Sequence, residues 1–188
     1  MENENTQNTF NPNQAGGQAN SDPAQQGQLR ITKIYVKDIS VETPNSPSVF
    51  MNQMQSQPQV DFRINTNAAT IQENLHEVVL GVTVTVKMGD TTAFLVEVQQ
   101  AGLFQVSGFS NQQLHYMLGS YCPNLLFPFA REAVSDLVTR GGFPPLLLEP
   151  VNFDALYAQQ VQRLRQQQEQ QQGAGQAAPE AGEAPAAS

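Results

Sequence analysis

From Glu77 to Lys87 the chain alternates without a break. Val78, Leu80, Val82, Val84 and Val86 fall on one side, and Glu77, Gly81, Thr83, Thr85 and Lys87 on the other. A period of two divides a β-strand into two faces, so this segment has one side that must be covered and one that water can wet. Met88-Gly89-Asp90-Thr91 follows as a hairpin turn, with Gly89 free to take positive φ. The chain then returns with Phe94, Val96 and Val98 facing in and Ala93, Leu95, Glu97 and Gln99 facing out.

Two earlier segments read as strands. In Leu29 to Glu42, strict alternation places Leu29, Ile31, Tyr35, Ile39 and Val41 on one face, interrupted by Lys33 and Lys37, with Asp38, Ser40 and Glu42 opposite. Val60, Phe62 and Ile64 alternate with Asp61, Arg63 and Asn65. The intervening Thr43–Pro58 segment carries Pro44, Pro47 and Pro58, which exclude regular ladder pairing.

Helical signals follow. Ser110-Asn-Gln-Gln113 reads as a capping box. Pro123 and Pro128 each predict an irregularity before the helix stops at Gly141-Gly142. Phe143 to Pro150 must be extended, and a last helix starts near Asn152 with Phe153, Leu156, Tyr157 and Val161 on one stripe. Strands first and helices second predict an α+β domain, with helices packed on one face of an antiparallel sheet.

The domain expected is 29–172, with strands over 29–109 and helices over 110–172. Residues 1–28 are mostly Asn, Gln, Gly, Ala and Ser, with Phe10 the sole aromatic, and 173–188 are mostly Ala, Gly, Pro and Glu. Both bury too little apolar surface to offset ordering entropy and are expected to be disordered tails. A net charge of −8 with scattered Lys and Arg excludes a nucleic-acid footprint. Cys122 is the single cysteine, which suits a reducing cytoplasm. The N-terminus has no signal-peptide pattern, and no apolar run is long enough for membrane insertion.

Four strings resemble the SecB family of export chaperones: Ile34-Tyr-Val-Lys-Asp-Ile-Ser40, Thr92-Ala-Phe-Leu-Val-Glu-Val-Gln-Gln100, Tyr121-Cys-Pro-Asn-Leu-Leu-Phe-Pro-Phe-Ala-Arg-Glu132 and Pro150-Val-Asn-Phe-Asp-Ala-Leu156. They occur in the family's order and spacing, and the likeness spans Leu29 to Gln160. It implies a four-stranded antiparallel sheet with helices on one side, assembled as a dimer of dimers, a cytoplasmic homotetramer. It also implies grooves for unfolded precursor polypeptides and delivery to the export motor SecA through an acidic flat sheet face. The positions matching the family's docking residues are Asp38, Glu42, Leu95 and Glu97. The alternation independently puts Asp38 with Glu42, and Leu95 with Glu97, on outer faces.

For the groove, the apolar candidates are Val49, Phe50, Met51 and Met54 in the Pro-rich segment, Leu146, Leu147 and Leu148 in the linker, and Phe153, Leu156 and Tyr157 on the last helix. The plainer role for these is to cover the sheet; the functional one is to line a trough. The apolar stripe Leu114, Met117, Leu118 and Tyr121 reads as core packing, and the resemblance implies that part of it forms a dimer–dimer seam. No enzyme, metal or cofactor is expected. Gly141-Gly142 is a helix stop rather than a phosphate loop, two histidines cannot supply a structural zinc site, and Cys122 with His115 lacks an orienting acid. Three other readings remain: a SecB-like chaperone dedicated to a toxin–antitoxin pair, a domain binding a small hydrophobic ligand, and an enzyme using Cys122.

Overall fold

The computed structural model describes residues 27–51 and 57–175. The strands are β1 (Gln28–Glu42), β2 (Pro58–Gln72), β3 (Leu75–Met88) and β4 (Thr91–Ser107). The helices are α1 (Ser48–Met51), α2 (Asn111–Tyr116), a π-helical turn (Met117–Tyr121), α3 (Cys122–Arg140) and α4 (Phe153–Gly175). β1 thus begins at Gln28 and α4 runs through residue 175; the rest of the two expected tails lies outside the described residues.

The strands form one sheet in the order β1-β4-β3-β2, every neighbour antiparallel. Residues paired directly across an antiparallel ladder share a face, so the register sorts all four strands. Val78, Leu80, Val82, Val84 and Val86 of β3 and Phe94, Val96, Val98, Phe104 and Val106 of β4 form a buried inner face. α3 lies across it and contributes Leu126, Ala130, Val134, Leu137 and Val138. The helix comes close because Gly102 has no side chain: a Cβ there would meet the Phe104 ring at 2.6 Å and Leu126 at 3.0 Å.

β1 corrects the strict alternation. Its ladder with β4 slips between Ile31 and Lys33 and again between Val36 and Asp38. Each slip is a bulge, and a bulge reverses the parity of everything beyond it. Leu29, Ile31, Ile34, Val36, Ile39 and Val41 therefore share the inner face, while Lys33 and Tyr35 point outward with Asp38, Ser40 and Glu42. Because α3 covers mainly β3 and β4, this inner row of β1 stays open: Ile31, Val36, Ile39 and Val41 are 37–47% exposed.

The capping box forms as the sequence requires. Gln113 N–H donates to Ser110 Oγ, and Ser110 N–H donates to Gln113 Oε1 at 2.9 Å. The first irregularity comes just before Pro123, not at it. A proline ring clashes with the carbonyl four residues back, and the wider π turn relieves this, with Cys122 N–H bonding the Met117 carbonyl five residues back. Pro128 is accommodated inside α3. Gly142, at φ +88°, makes the left-handed stop, while Gly141 stays right-handed.

Candidate functional site

The inner side of the sheet carries the apolar candidates, and the structure distributes them differently from a single trough. Asn45–Phe50 closes a helical turn, with Val49 N–H on the Asn45 carbonyl at 2.9 Å. This turns Val49 into the core, 5% exposed, so it lines no groove. The Pro-rich segment gave no sign of that turn, because its prolines mask the one stretch that is helical. Phe50 remains outside, its ring tilted against that of Phe143 at 5.1 Å, which in turn lies 4.7 Å from Phe94. Leu146 is half-buried, Leu147 is exposed and Leu148 is buried. Met54 lies outside the described residues.

Leu156 and Tyr157 stand over two adjoining crevices between β2, the π turn and α4. One, of about 420 Å³, is lined by Ile64, Asn65, Thr66, Leu156, Tyr157 and Arg163, among others, with Phe153 as buried floor. The second, of about 530 Å³, runs under α4 along Ala68, Thr70, Leu114, Leu118, Val161 and Leu164. Thr66, Gly119, Tyr157 and Gln160 border both. Phe50, Leu146 and Leu147 line neither. The β2 wall was missed because Thr66 to Gln72 is mostly Thr, Asn and Ala, and only Thr66, Thr70 and Ile71 hint at a strand.

α4 is held over these crevices by a polar clasp. Asp154 Oδ1 accepts from Ser120 Oγ at 2.5 Å and from Tyr116 Oη at 2.8 Å. The Ser120 hydrogen bond, then that from Tyr116, holds the Asp154 carboxyl below its ordinary value. Tyr157 packs edge-on to Tyr116 at 5.8 Å. Its ring also sits where a Cβ on Gly119 would be, 2.7 Å away, so the π turn needs glycine there.

The opposite side of the sheet is flat and charged. Register pairs Glu42 with Leu95, Ser40 with Glu97 and Asp38 with Gln99, all facing outward. Nearby Lys37 binds Glu77 at 2.7 Å and Arg63 binds Asp61 at 3.2 Å. Among the described residues Asp38, Glu42 and Glu97 have no ion-pair partner, and Leu95 is a half-buried apolar group beside them. Tyr35 braces the β1 bulge by donating its hydroxyl to Glu77. That bond, with burial and the adjacent charge, pushes the Tyr35 phenol up to about 12. Lys37 first, and then Tyr35, hold the Glu77 carboxyl below its ordinary value.

Cys122 is fully buried, and burial pushes its thiol up to about 12. A thiol in that state is not a nucleophile at neutral pH, which counts against the reading of Cys122 as a catalytic residue. No helix among the described residues is long and apolar enough to cross a membrane.

Residues 22–164 match the family described as preprotein translocase subunit SecB. A protein-export protein SecB of Nitrosococcus oceani is 59% identical over 157 residues, covering 84% of this chain and 93% of that one. A protein of the same name from Methylococcus capsulatus is 59% identical over 140 residues, 74% and 89% of the two chains. Among solved structures, a Mycobacterium tuberculosis SecB-like chaperone in complex with a ChAD peptide from the HigA1 antitoxin superposes with a TM-score of 0.55. It shares 17% identity and covers 65% of this chain and 90% of that one.

Proposed function

This chain belongs to the SecB family, and from that membership we propose that it is a protein-export chaperone that captures unfolded precursors along its inner crevices and passes them to SecA at its acidic outer face. The observation that carries the reading is the separation of the two surfaces by one β-layer. Asp38, Glu42, Leu95 and Glu97 lie on one side, and the apolar crevices beside Leu156 and Tyr157 on the other.

Energetics fit a reversible holder. Burying a large apolar side chain yields about 1.5–3 kcal/mol, whereas fixing a residue's backbone costs about 1–2 kcal/mol. The margin per residue is small, so grip must come from several linked sites. Assembly as a homotetramer would supply them. Two features support it: the open apolar row on the edge strand β1, and a stripe of Tyr121, Leu125 and Phe129 running from the π turn into α3, with Tyr121 and Phe129 over 40% exposed. An unpaired edge and an open stripe of this size each call for a covering surface, and a second copy of the same chain meets both needs symmetrically. The protein would act in the cytoplasm, without ATP or cofactor of its own. The names of the relatives at 59% identity favour general export over an antitoxin-dedicated partner.

The test is capture of a chemically unfolded precursor on dilution from denaturant. Wild type is expected to suppress its aggregation and hold it for later release. Leu156→Asp with Leu164→Asp, two exposed positions on the crevice lip, is expected to weaken capture about tenfold, since each replaces part of a ~1.5–3 kcal/mol apolar contact with a charge. Undiminished capture would remove the crevices from the binding surface.

A further inference from the structure

The chain has only two histidines, His76 and His115, and both line the same crevice under α4. They come from different elements, His76 from the start of β3 and His115 from α2. His76 lies at the floor, buried at 5% exposure, and its Nδ1 shares a hydrogen bond with Thr70 Oγ1 at 3.2 Å. His115 stands exposed at the lip. No buried side-chain nitrogen or oxygen is unpartnered among the described residues, so the second ring nitrogen of His76 is not fully sealed from solvent.

The rest of the lining holds no counter-charge. Thr66, Asn67, Ala68, Ala69 and Thr70 of β2, Leu114, Leu118 and Gly119, and Tyr157, Gln160, Val161 and Leu164 of α4 are all uncharged. On β4 the residue paired with His76 is Phe104. None of the charged residues of the surrounding elements is among the lining residues. Glu77 is on the outer face with Lys37 and Tyr35, Asp154 is clasped by Ser120 and Tyr116, and Arg163 lines the neighbouring crevice. Glu73 sits in the β2–β3 turn and is not among the lining residues. In a chain with 17 acidic residues, a crevice whose described lining includes no carboxylate leaves an imidazolium no anion to pair with.

We propose that His76 and His115 are specificity-determining residues that make this crevice accept an uncharged apolar side chain of bound polypeptide only while both imidazoles are neutral. The inference rests on the crevice reading given above. A segment laid into the crevice removes water from both rings, and a buried cation without a partner is strongly disfavoured. Protonated histidines must therefore shed their protons when the segment binds, and affinity must fall as pH drops through the imidazole range. Burial already holds His76 below its ordinary value in the free protein.

The test uses the full chain and an end-capped, histidine-free, unstructured peptide of Leu, Phe, Ser and Gln, followed by calorimetry at pH 7.5, 6.5 and 5.5 in buffers of differing ionisation enthalpy. Wild type is expected to bind about tenfold more weakly at pH 5.5 than at pH 7.5, and to release protons on binding near pH 6. His115→Gln is expected to flatten part of the slope, and His76→Asn with His115→Gln to abolish it. Flat wild-type affinity with no proton release overturns the inference and leaves the crevice reading intact, a result that does not depend on how the His76 variant folds. An unchanged slope in a folded double variant also overturns it. Failure of wild type to bind the peptide at pH 7.5 overturns the crevice reading and the inference together.

Discussion

Replacing Asp38, Glu42 and Glu97 with lysine together is expected to weaken binding of SecA about 100-fold while leaving capture of unfolded precursor within about twofold. The three carboxylates sit on adjacent antiparallel strands, with Glu42 opposite Leu95 and Glu97 opposite Ser40. They have no basic partner among the described residues, so their field is available to a Lys- and Arg-rich docking segment. An exposed pair contributes about 0.2–1 kcal/mol. Reversal removes three attractions and installs three repulsions, for a total of about 3 kcal/mol. Because these charges are solvent-exposed, wild-type docking is expected to weaken steeply with salt, as the Debye length falls to about 8 Å near physiological strength. Surface titration of the variant with SecA and with unfolded precursor separates the two activities. Equal loss of both would mean that docking and capture share a surface.

The second large effect concerns assembly. Tyr121→Glu with Phe129→Glu is expected to halve the mass seen by light scattering, from four chains to two, with circular dichroism unchanged. Tyr121, Leu125 and Phe129 recur every four residues along one helix flank, and the two aromatics are over 40% exposed while the opposite flank is spent on the core. Each aromatic buried at a seam is worth about 1.5–3 kcal/mol, and a glutamate there would be a desolvated charge. The surviving dimer is expected because β1 is untouched. Its 15-residue edge and its inner row of Ile31, Val36, Ile39 and Val41 would still be paired across a two-fold axis. A variant that kept the mass of four chains would place the seam elsewhere.

The strands that were easiest to read are those with one wet and one dry face. β3 and the first half of β4 alternate because both flanks are paired and only one side is covered, so Val78 to Val86 and Phe94 to Val98 appear inward as the pattern requires. β1 was misread at Lys33 and Tyr35 because strict alternation assumes an unbroken pleat. Its apolar residues fall at 29, 31, 34, 36, 39 and 41, and each step of three marks a bulge. That spacing was present in the sequence and could have been read. Asp38 and Glu42 escaped the error because both lie beyond the second slip.

The inner surface was less legible. Val49 is committed to the core by a helical turn that depends on Asn45 and Pro47, a local hydrogen-bond choice that hydropathy does not record. The crevice walls from Thr66 to Thr70 are polar or small, since they face a gap rather than a packed neighbour. Periodicity detects residues driven inward by burial; it has nothing to say about residues that border an empty space. Leu114 and Leu118 belong to a stripe that the sequence leaves open between core and seam, and their opening onto a crevice depends on the π turn and on Gly119 leaving room for Tyr157.

The division of labour between the two sides of the sheet is best tested by placing a photo-crosslinker on each. Cys122 is buried with its thiol pushed up to about 12, so a newly introduced surface cysteine can be labelled selectively. Gln99→Cys puts the label on the outer face beside Asp38, and Gln160→Cys puts it between the two inner crevices. In a mixture holding both unfolded precursor and SecA, the label at 99 is expected to capture SecA and the label at 160 the precursor. Precursor attached in equal yield to both positions would contradict the account.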